Sequence, residues 1–395
     1  MFQGKYVFSQ ITEFIPRREL YQFINFYKGN QKIRSLDCRD QFLAMMFGQL
    51  TNLKSLRGII ICLNAHSNLL YHLGFKTDKL VRSTLARANE NRDFRIYQDL
   101  AQLLIKKARK LYLNDNEFKL ELDGAVYALD STVIELCLST FKWAYFQRED
   151  SAIKIHMQLD LRGNIPSFFL ITKAKTHDVN FLDSLKLEAG AFYIMDRGYY
   201  DFERLYKIDQ QKAFFVIRGK SSLSFERMYS KEVDKTTGVR CDQIIKLNNY
   251  QSKKDYPEKL RRIKYYDVET DKYYVYLTNN FDLDAKIIAD LYKHRWQIEL
   301  FFKWIKQHLK IEIFWGTSAN AVKTQICIAL CTFLLVAIMK KQLKIERNLY
   351  EILQILSLSQ FEKTPINTLL AEADLQIPID QSKKQQCLWD ILTRH

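Results

Sequence analysis

Three acidic residues stand where carboxylates could act together on a metal ion. Asp130 lies in a β-prone run, YALDSTVI, and Asp196 follows a short apolar run, AFYIM. Glu299 lies in a later segment of helical pattern. Carboxylates at the ends of adjacent strands can hold a divalent cation when a third carboxylate joins them. Taken singly, each of the two aspartates is better explained as a turn or capping residue.

Glu299 shares one face of its predicted helix with other polar side chains. Spacings of three, four and seven residues separate Tyr292, Arg295, Glu299 and Lys306. At about 3.6 residues per turn, these four fall within an arc of about 60°. The pattern predicts one helix from Asp284 to about Lys310, with no Gly or Pro inside it. Periodicity alone favours an intrahelical ion-pair face over a catalytic one.

The elements around these acids predict an α/β fold. The predicted elements are, in order, strands at 124–134, 153–161 and 165–172, a helix at Asn180–Leu187, a strand at 191–195, a helix at Tyr199–Ile208 and a strand at 213–217. An Arg-Gly-Asn turn between the second and third strands indicates a hairpin. The order fits a mixed sheet with a buried centre. The pattern of residues 219–282 predicts a β-rich segment, which we interpret as an insertion.

The charge of the chain suggests a polyanionic partner, most often nucleic acid. Lys and Arg number 60 against 45 Asp and Glu, and the first 110 residues carry 19 against 8. The pattern of that region predicts helices. A solvated basic surface is the alternative explanation for its positive charge. One short helix, starting at Thr77 or Asp78 and containing Arg82 and Arg87, has the pattern of a recognition helix.

Several classes of protein are disfavoured by the composition. The seven cysteines include no CxxC pair, which argues against a disulfide framework or a zinc ribbon and fits a reducing cytoplasm. The longest apolar run, 326–339, is short for a membrane span and predicts a buried helix. The first ten residues lack a signal-peptide pattern. We therefore expect a cytoplasmic protein with no membrane partner.

The ordered set of motifs resembles DDE transposases of bacterial insertion sequences. The segments that carry the resemblance are YALDSTVI, KIHMQLD, THDVNFL, IMDRGYYDFERL and HRWQIELFFKWIKQHLKI. The Tyr-x2-Arg-x3-Glu-x6-Lys helix is similar to that of the insertion-sequence-four family, its YREK-motif branch. The resemblance spans about 120–320, and residues 1–75 look like the extra helical domain of many such transposases.

This resemblance implies a ribonuclease-H-like α/β fold with a particular domain order. The implied parts are a basic helical DNA-binding domain at 1–115, a catalytic core at 120–218 and 283–320, a β-rich insertion at 219–282 and a helical C-terminal region at 321–395. Asp196 and Glu299 are 103 residues apart, so the longer gap in the acidic set is the one that contains the insertion.

The resemblance also implies the roles of the site residues. Asp130, Asp196 and Glu299 match the catalytic, metal-binding triad, expected to hold two Mg²⁺ ions, with Mn²⁺ as a substitute. The companions expected to contact DNA phosphates are Tyr292, Arg295 and Lys306. Arg82 and Arg87 are candidates for base contacts from the recognition helix. His156 and His177 are left out of the metal site as core or turn histidines.

The implied activity is cut-and-paste DNA transposition through a hairpin intermediate. Its partners would be the terminal inverted repeats, target DNA and a second copy of the chain, and its location the bacterial nucleoid. A relative of this type stacks an aromatic side chain of the insertion on a flipped base. Candidates for that role are Phe225, Tyr229, Tyr250 and Tyr256.

Three other functions are compatible with parts of the pattern. A ribonuclease-H-like nuclease without strand transfer would share the acidic triad, although the basic N-terminal region argues against it. A non-catalytic DNA-binding protein derived from a transposase would have lost a carboxylate, and all three are present. A helical scaffold would leave the ordered motifs unexplained.

Overall fold

The helices and strands are known for most of the chain, from a computed structural model that describes residues 4–113, 122, 124–135, 152–220, 222–309, 311 and 313–371. The α-helices are α1 (Val7–Thr12), α2 (Arg17–Phe26), α3 (Cys38–Leu50), α4 (Leu56–Ala65), α5 (Leu70–Leu73), α6 (Arg82–Asn91), α7 (Arg95–Tyr112), α8 (Phe202–Gln210), α9 (Tyr250–Asp255), α10 (Ala285–His294), α11 (Trp296–His308), α12 (Ala319–Gln342), α13 (Leu349–Ser359) and α14 (Ile366–Leu369). The strands are β1 (Val126–Glu135), β2 (Ala152–Asp160), β3 (Ile165–Lys173), β4 (Phe192–Met195), β5 (Phe214–Arg218), β6 (Phe225–Lys231), β7 (Val239–Leu247), β8 (Leu260–Asp267) and β9 (Lys272–Thr278).

These strands form one mixed sheet, in the order β3-β2-β1-β4-β5-β9-β8-β7-β6. β1, β2 and β3 are antiparallel neighbours, whereas β4 and β5 continue from β1 in parallel. β5 then pairs antiparallel with β9, so the strands within 219–282 extend the same sheet. The predicted α/β class and the β-rich character of 219–282 are confirmed.

A separate hydrophobic core covers each face of the sheet. Successive strand residues point to opposite faces, and Ala128 and Leu129 of β1 accordingly enter different cores. The core containing Leu129 includes Leu205 and Ile208 of α8. The other core is continuous with the N-terminal helices and with α10, α11 and α12. Strand β4 is buried along its whole length, as its uninterrupted apolar sequence predicts.

Helix α12 is the central support of the helical region. It packs against α3, α6 and α7, and the Tyr112 hydroxyl of α7 donates a hydrogen bond to the Ala337 carbonyl at 3.0 Å. It is long and apolar enough to cross a membrane, but 94% of its most apolar 18-residue window is buried inside the protein. The predicted buried helix over 326–339 is confirmed, and Cys327 and Cys331 are fully buried core residues.

Two predicted helices differ from the structure near the sheet. The predicted helix Asn180–Leu187 is a 3-10 helix over Asp178–Ser184, because its bonds join residues three apart, as from the Asn180 amide to the His177 carbonyl. The predicted helix Tyr199–Ile208 begins at Phe202. There the Asp201 carboxylate accepts from the Arg204 amide at 3.0 Å and caps the first turn.

The predicted start of the short basic helix at Thr77 or Asp78 is also wrong. Helix α6 begins at Arg82 after Val81, which offers no side-chain cap. The Thr77 hydroxyl instead donates to the Lys79 carbonyl at 2.8 Å. This local hydrogen bond holds Thr77 in a turn, a common alternative to capping for threonine.

A buried ion pair fixes the approach to α10. The Arg261 guanidinium of β8 donates to both carboxylate oxygens of Asp242 in β7, at 2.8 and 2.7 Å. It also donates to the carbonyls of Asn280 and Leu283, in the segment that enters α10. Arg261 is 2% exposed, so the pair connects the strands to the helices that carry the acidic site.

Asp242→Asn is expected to destabilise the fold by about 3 kcal/mol, because it leaves the buried Arg261 charge without its counterion. Urea unfolding followed by circular dichroism measures the loss. The control is Asp234→Asn, at an exposed 3-10 helix cap, where asparagine caps as well as aspartate. Equal unfolding midpoints for the two variants would contradict the assigned role of the pair.

Candidate active site

Asp130 and Asp196 lie side by side at the end of a parallel strand pair. Leu129 of β1 and Met195 of β4 are register partners, and each aspartate is the next residue in its chain. β4 ends at Met195 while β1 continues to Glu135, so Asp130 is the first β1 residue beyond the β4 ladder. This is the carboxyl end of a parallel pair, where ligand sites of α/β sheets form.

Hydrogen bonds from neighbouring amides hold both aspartates. The Asp130 carboxylate accepts from the Ser131 amide at 2.8 Å. The Asp196 carboxylate accepts from the Gly198 amide, also at 2.8 Å, and so caps the 3-10 helix Arg197–Tyr199. A Cβ at Gly198 would lie 3.0 Å from the Asp196 Oδ1, so glycine permits this tight turn.

Arg295 joins Asp130 to Glu299. Its Nη2 donates to the Glu299 Oε1 at 2.5 Å, and its Nη1 lies 3.6 Å from the Asp130 Oδ2. The Arg295 side chain is 15% exposed, and its Nε is buried without a hydrogen-bond partner among the described residues. α11, which carries Glu299, packs against β1. The structure therefore brings all three predicted acids to one region.

The polar residues predicted on one helix belong to two helices. α10 ends at His294 and α11 begins at Trp296, with Arg295 at the junction. The Arg295 amide bonds to the Tyr292 carbonyl and the Ile298 amide to the Arg295 carbonyl, both at 3.1 Å. These bonds span three residues rather than four, so they tighten the chain and interrupt the α-helix. The prediction of one continuous helix is wrong.

Tyr292 and Lys306 lie on opposite sides of this junction. The Tyr292 ring is half-buried and tilts against the Tyr276 ring of β9, with centroids 4.7 Å apart. Burial raises the pKa of its hydroxyl. Lys306 Nζ donates to the Val133 carbonyl at 3.2 Å, so it reaches the part of β1 that follows Asp130.

The electrostatics of the site favour a cation beside Asp130. Burial raises the pKa of Asp130 to about 6, while the Ser131 amide and the Arg295 charge lower it. The negative charges of Asp196 and Glu299 raise it further. When all three acids are ionised, their charge exceeds the single positive charge of Arg295, and a bound cation would favour the ionised form of Asp130.

A family comparison identifies the chain. Residues 121–335, more than half of its length, match the family described as Transposase DDE domain. The chain belongs to this DDE transposase family. It is accordingly a DDE transposase enzyme, which implies DNA as its partner and the use of a divalent metal. Residues 3–76 match a second family, described as a domain of unknown function (DUF4372).

Curated relatives of this transposase come from several bacteria. The putative transposase y4zB of Sinorhizobium fredii is 33% identical over 261 residues, covering 64% of this chain and 70% of that protein. The probable transposase for insertion sequence element IS5377 of Geobacillus stearothermophilus is 26% identical, covering 67% and 69%. The putative transposase for insertion sequence element IS4SA of Synechocystis is 22% identical, covering 69% and 75%.

A solved structure is weakly similar to this transposase. It is the piggyBac transposase synaptic complex with hairpin DNA (SNHP), with a TM-score of 0.45 and 12% identity, over 93% of this chain and 82% of that one. A similarity of this size supports no inference about the site.

The acidic site of the transposase fits a hard divalent cation by its chemistry. Three carboxylates supply oxygen ligands of the kind that Mg²⁺ and Mn²⁺ prefer, and the one positive charge of Arg295 offsets only part of theirs. As the side chains are placed, no three His, Cys, Asp or Glu residues of the described chain form a ready metal cluster. Arg295 instead contacts Asp130 and Glu299 directly, so the ligand set stays a prediction.

Sequence reasoning missed a fourth carboxylate beside the predicted three. Asp178 Oδ1 accepts from the Ser131 hydroxyl at 2.6 Å and from Lys154 Nζ at 3.1 Å. Its Oδ2 would lie 3.4 Å from a Cβ at Gly198, the residue that also holds Asp196. The signal that could have found it is the THDVNFL motif, in which Asp178 directly follows His177.

Other candidates have clear positions in the transposase. His156 is fully buried, and burial lowers its pKa to about 4, as for a neutral core histidine. Tyr256 is also buried, and its hydroxyl donates to Asp209. Its ring is therefore closed to a flipped base, and the prediction that it could stack on one is wrong. Tyr229 and Tyr250 are 60% and 84% exposed. Arg82 and Arg87 are exposed residues of α6. None of the three predicted catalytic acids belongs to this helix.

Asp130→Asn is expected to stabilise the metal-free transposase at pH 7 by about 3 kcal/mol, because the folded-state pKa near 6 exceeds the ordinary 3.8. Protonated Asp130 favours the folded state of the wild-type protein. This contribution to the free energy of unfolding is complete below pH 3.8 and is lost as the pH rises through 6. The gain from asparagine should therefore shrink as the pH falls from 7 towards 4. Urea unfolding in EDTA at several pH values measures it, and a pH-independent gain would contradict the prediction.

Proposed function

We propose that this transposase cleaves double-stranded DNA at the ends of its own element and joins the freed ends to target DNA. Asp130, Asp196 and Glu299 would hold two Mg²⁺ ions, with Mn²⁺ as a substitute. The observation that supports this most is the arrangement of these acids. Asp130 and Asp196 follow register partners in neighbouring strands, and Arg295 connects Asp130 to Glu299.

The sheet supports a ribonuclease-H-like core. Strands β3-β2-β1-β4-β5, with the first three antiparallel and the last two parallel to β1, would form the core with 283–320. In this proposal 219–282 is an insertion that prolongs the sheet, 1–115 is the DNA-binding domain and 321–395 is the C-terminal region. The tyrosine, arginine, glutamate and lysine spacing favours the YREK-motif branch of the insertion-sequence-four family.

The residues of the chain would position the scissile phosphate. When bound, the metal ions would supply stabilisation of charge on the attacking and leaving oxygens. Arg295 offsets only part of the carboxylate charge in the absence of DNA, and a small movement of its guanidinium would let the buried, unpartnered Nε donate to a phosphate oxygen. Lys306 adds a second cation beside the part of β1 that follows Asp130. The Tyr292 hydroxyl would fix the phosphate from the α10 side.

The reaction would proceed by successive phosphoryl transfers. A water oxygen attacks the phosphorus, the bond from phosphorus to the 3′ oxygen breaks, and that oxygen leaves as a 3′-hydroxyl. The freed 3′-hydroxyl attacks the opposite strand, which forms a hairpin and releases the flanking DNA. Water then opens the hairpin, and the regenerated 3′-hydroxyl attacks target DNA. A homodimer acting on nucleoid DNA would hold two ends together.

The test is a single-turnover assay of the full chain on labelled duplexes from the DNA that flanks its gene. With Mg²⁺ we expect a nick and then a hairpin, seen on a denaturing gel as a product of about twice the strand length. EDTA should stop both steps, and a random duplex is the control. Nicking without hairpin or joined product would favour the nuclease alternative, and no metal-dependent cleavage would contradict the proposal.

A further inference from the structure

A groove of about 500 Å³ runs along one face of α6. Residues of α6 from Arg82 to Glu90 form one wall. The lining also includes the first turns of α4 and α12 and the segment 314–318, which precedes α12. The groove therefore lies where the N-terminal helices meet the segment that follows α11.

Four cationic side chains line this groove and are available to a ligand. They are Lys54, Arg57, Arg82 and Arg87. All four residues are exposed, and none forms an ion pair or side-chain hydrogen bond with another residue of the described chain. Glu90 is the one acidic residue among the described lining residues. The groove thus carries a net positive charge that no described side chain neutralises.

The backbone adds partial positive charge to the same groove. The first turns of α4, α6 and α12 all border it, and none of the three contains an acidic residue. The first turn of α6 has no side-chain cap. Arg57 and Arg82 stand in first turns, where the helix dipole disfavours cations and favours anions. A bound anion would relieve both conflicts.

Trp315 provides an independent indication of a ligand. It lines the groove, is only 9% exposed, and its indole Nε1 has no hydrogen-bond partner within the part of the chain that the structure describes. A buried indole N–H usually has a partner. Because Nε1 itself is closed to solvent, an anion oxygen would accept this hydrogen bond after a small movement of the groove lining beside Trp315.

We propose that this groove binds a phosphodiester of the DNA backbone, an inference that rests on the DNA transposase function proposed above. A second groove, of about 530 Å³, borders α6 and shares Arg87 with the first. It is lined by Lys28, Lys32 and Arg34 as well. Two adjoining basic grooves suit a continuous polyanion better than an isolated phosphate ion.

This assignment changes the role expected for α6. Arg82 and Arg87 would contact the backbone and fix the register of the DNA, rather than read base edges. The site would also connect DNA binding to the catalytic region. The Gln325 side chain accepts from the Trp315 amide and donates to the Ile313 carbonyl, both at 2.9 Å. It thereby anchors the segment that follows α11 at the groove.

The test measures binding of the full chain to a random-sequence duplex in EDTA, over a range of salt concentrations. We expect the double variant Lys54→Gln/Arg57→Gln to bind at least about tenfold more weakly, and its slope of log affinity against log salt to be shallower by about 2. The control is Arg17→Gln/Arg18→Gln, which removes the same charge from the exposed start of α2. We expect less than a twofold change there.

Three outcomes would overturn the proposal. The first is an equal loss in both double variants, and the second is an unchanged salt slope in Lys54→Gln/Arg57→Gln. The third is that millimolar inorganic phosphate stabilises the wild-type protein but not that variant, while the two bind DNA equally well. This result would indicate a site for a free anion. Because EDTA prevents cleavage, this test can fail while the cleavage assay succeeds, and the reverse is equally possible.

Discussion

Asp196→Asn is expected to reduce the single-turnover rate of DNA cleavage by at least about a thousandfold, because it removes a metal-binding charge from the proposed site. The asparagine oxygen can still accept the Gly198 amide, so the turn after β4 should survive. DNA binding measured in EDTA should therefore change less than about twofold. The rate is measured with Mg²⁺ on the duplex that the wild-type protein cleaves.

Asp201→Asn is the matched control for this experiment. Asp201 lies five residues later and caps α8 through the Arg204 amide. Asparagine retains this cap, so the cleavage rate should stay within about threefold of the wild type. Cleavage by Asp196→Asn at a rate close to that of Asp201→Asn would exclude Asp196 from the metal site.

Arg295→Lys should slow cleavage by about 10- to 100-fold although it keeps the positive charge. The guanidinium contacts Glu299 through one terminal nitrogen and approaches Asp130 with the other. A lysine ammonium cannot reproduce this planar fork. The wild-type and variant rates are compared in a single-turnover assay across a Mg²⁺ titration, and the half-saturating Mg²⁺ concentration should not rise.

Tyr292→Phe provides the comparison for Arg295→Lys. It keeps the ring that packs on Tyr276 but removes the hydroxyl, so we expect a smaller loss of rate. The Mg²⁺ titration distinguishes a residue that supports metal binding from one that contacts the DNA phosphate. If high Mg²⁺ restored the full rate of Arg295→Lys, Arg295 would support the metal site and our assignment of its role would be wrong.

Much of the core could be predicted because its signals are local. The runs that became β1 and β4 are apolar and rich in β-forming residues, and the positions of Asp130 and Asp196 relative to them followed directly. The buried helix around Cys327 and Cys331 was equally clear, since no charge interrupts its apolar run. Such patterns depend on near neighbours and on burial, both of which a sequence records.

The errors concern features that depend on distant residues. No Gly or Pro marks the junction at Arg295, where the side chain contacts Asp130, far away in sequence. Asp178 is recognisable as a neighbour of the site only through its contacts with Ser131 of β1 and Lys154 of β2. A turn or ion pair that is held by tertiary contacts leaves little trace in periodicity.

The pairing of β5 with β9 has a mechanical consequence for the whole enzyme. Because the ladder is continuous, β6–β9 cannot swing as a loosely hinged lobe. β6 stands five strand spacings from β4, or about 24 Å at about 4.8 Å per spacing, which equals about seven base pairs of DNA at 3.4 Å each. The sheet thus fixes the distance between β6 and β4, the strand that Asp196 follows. A chemical group on β6 can change that distance only if backbone hydrogen bonds between strands break.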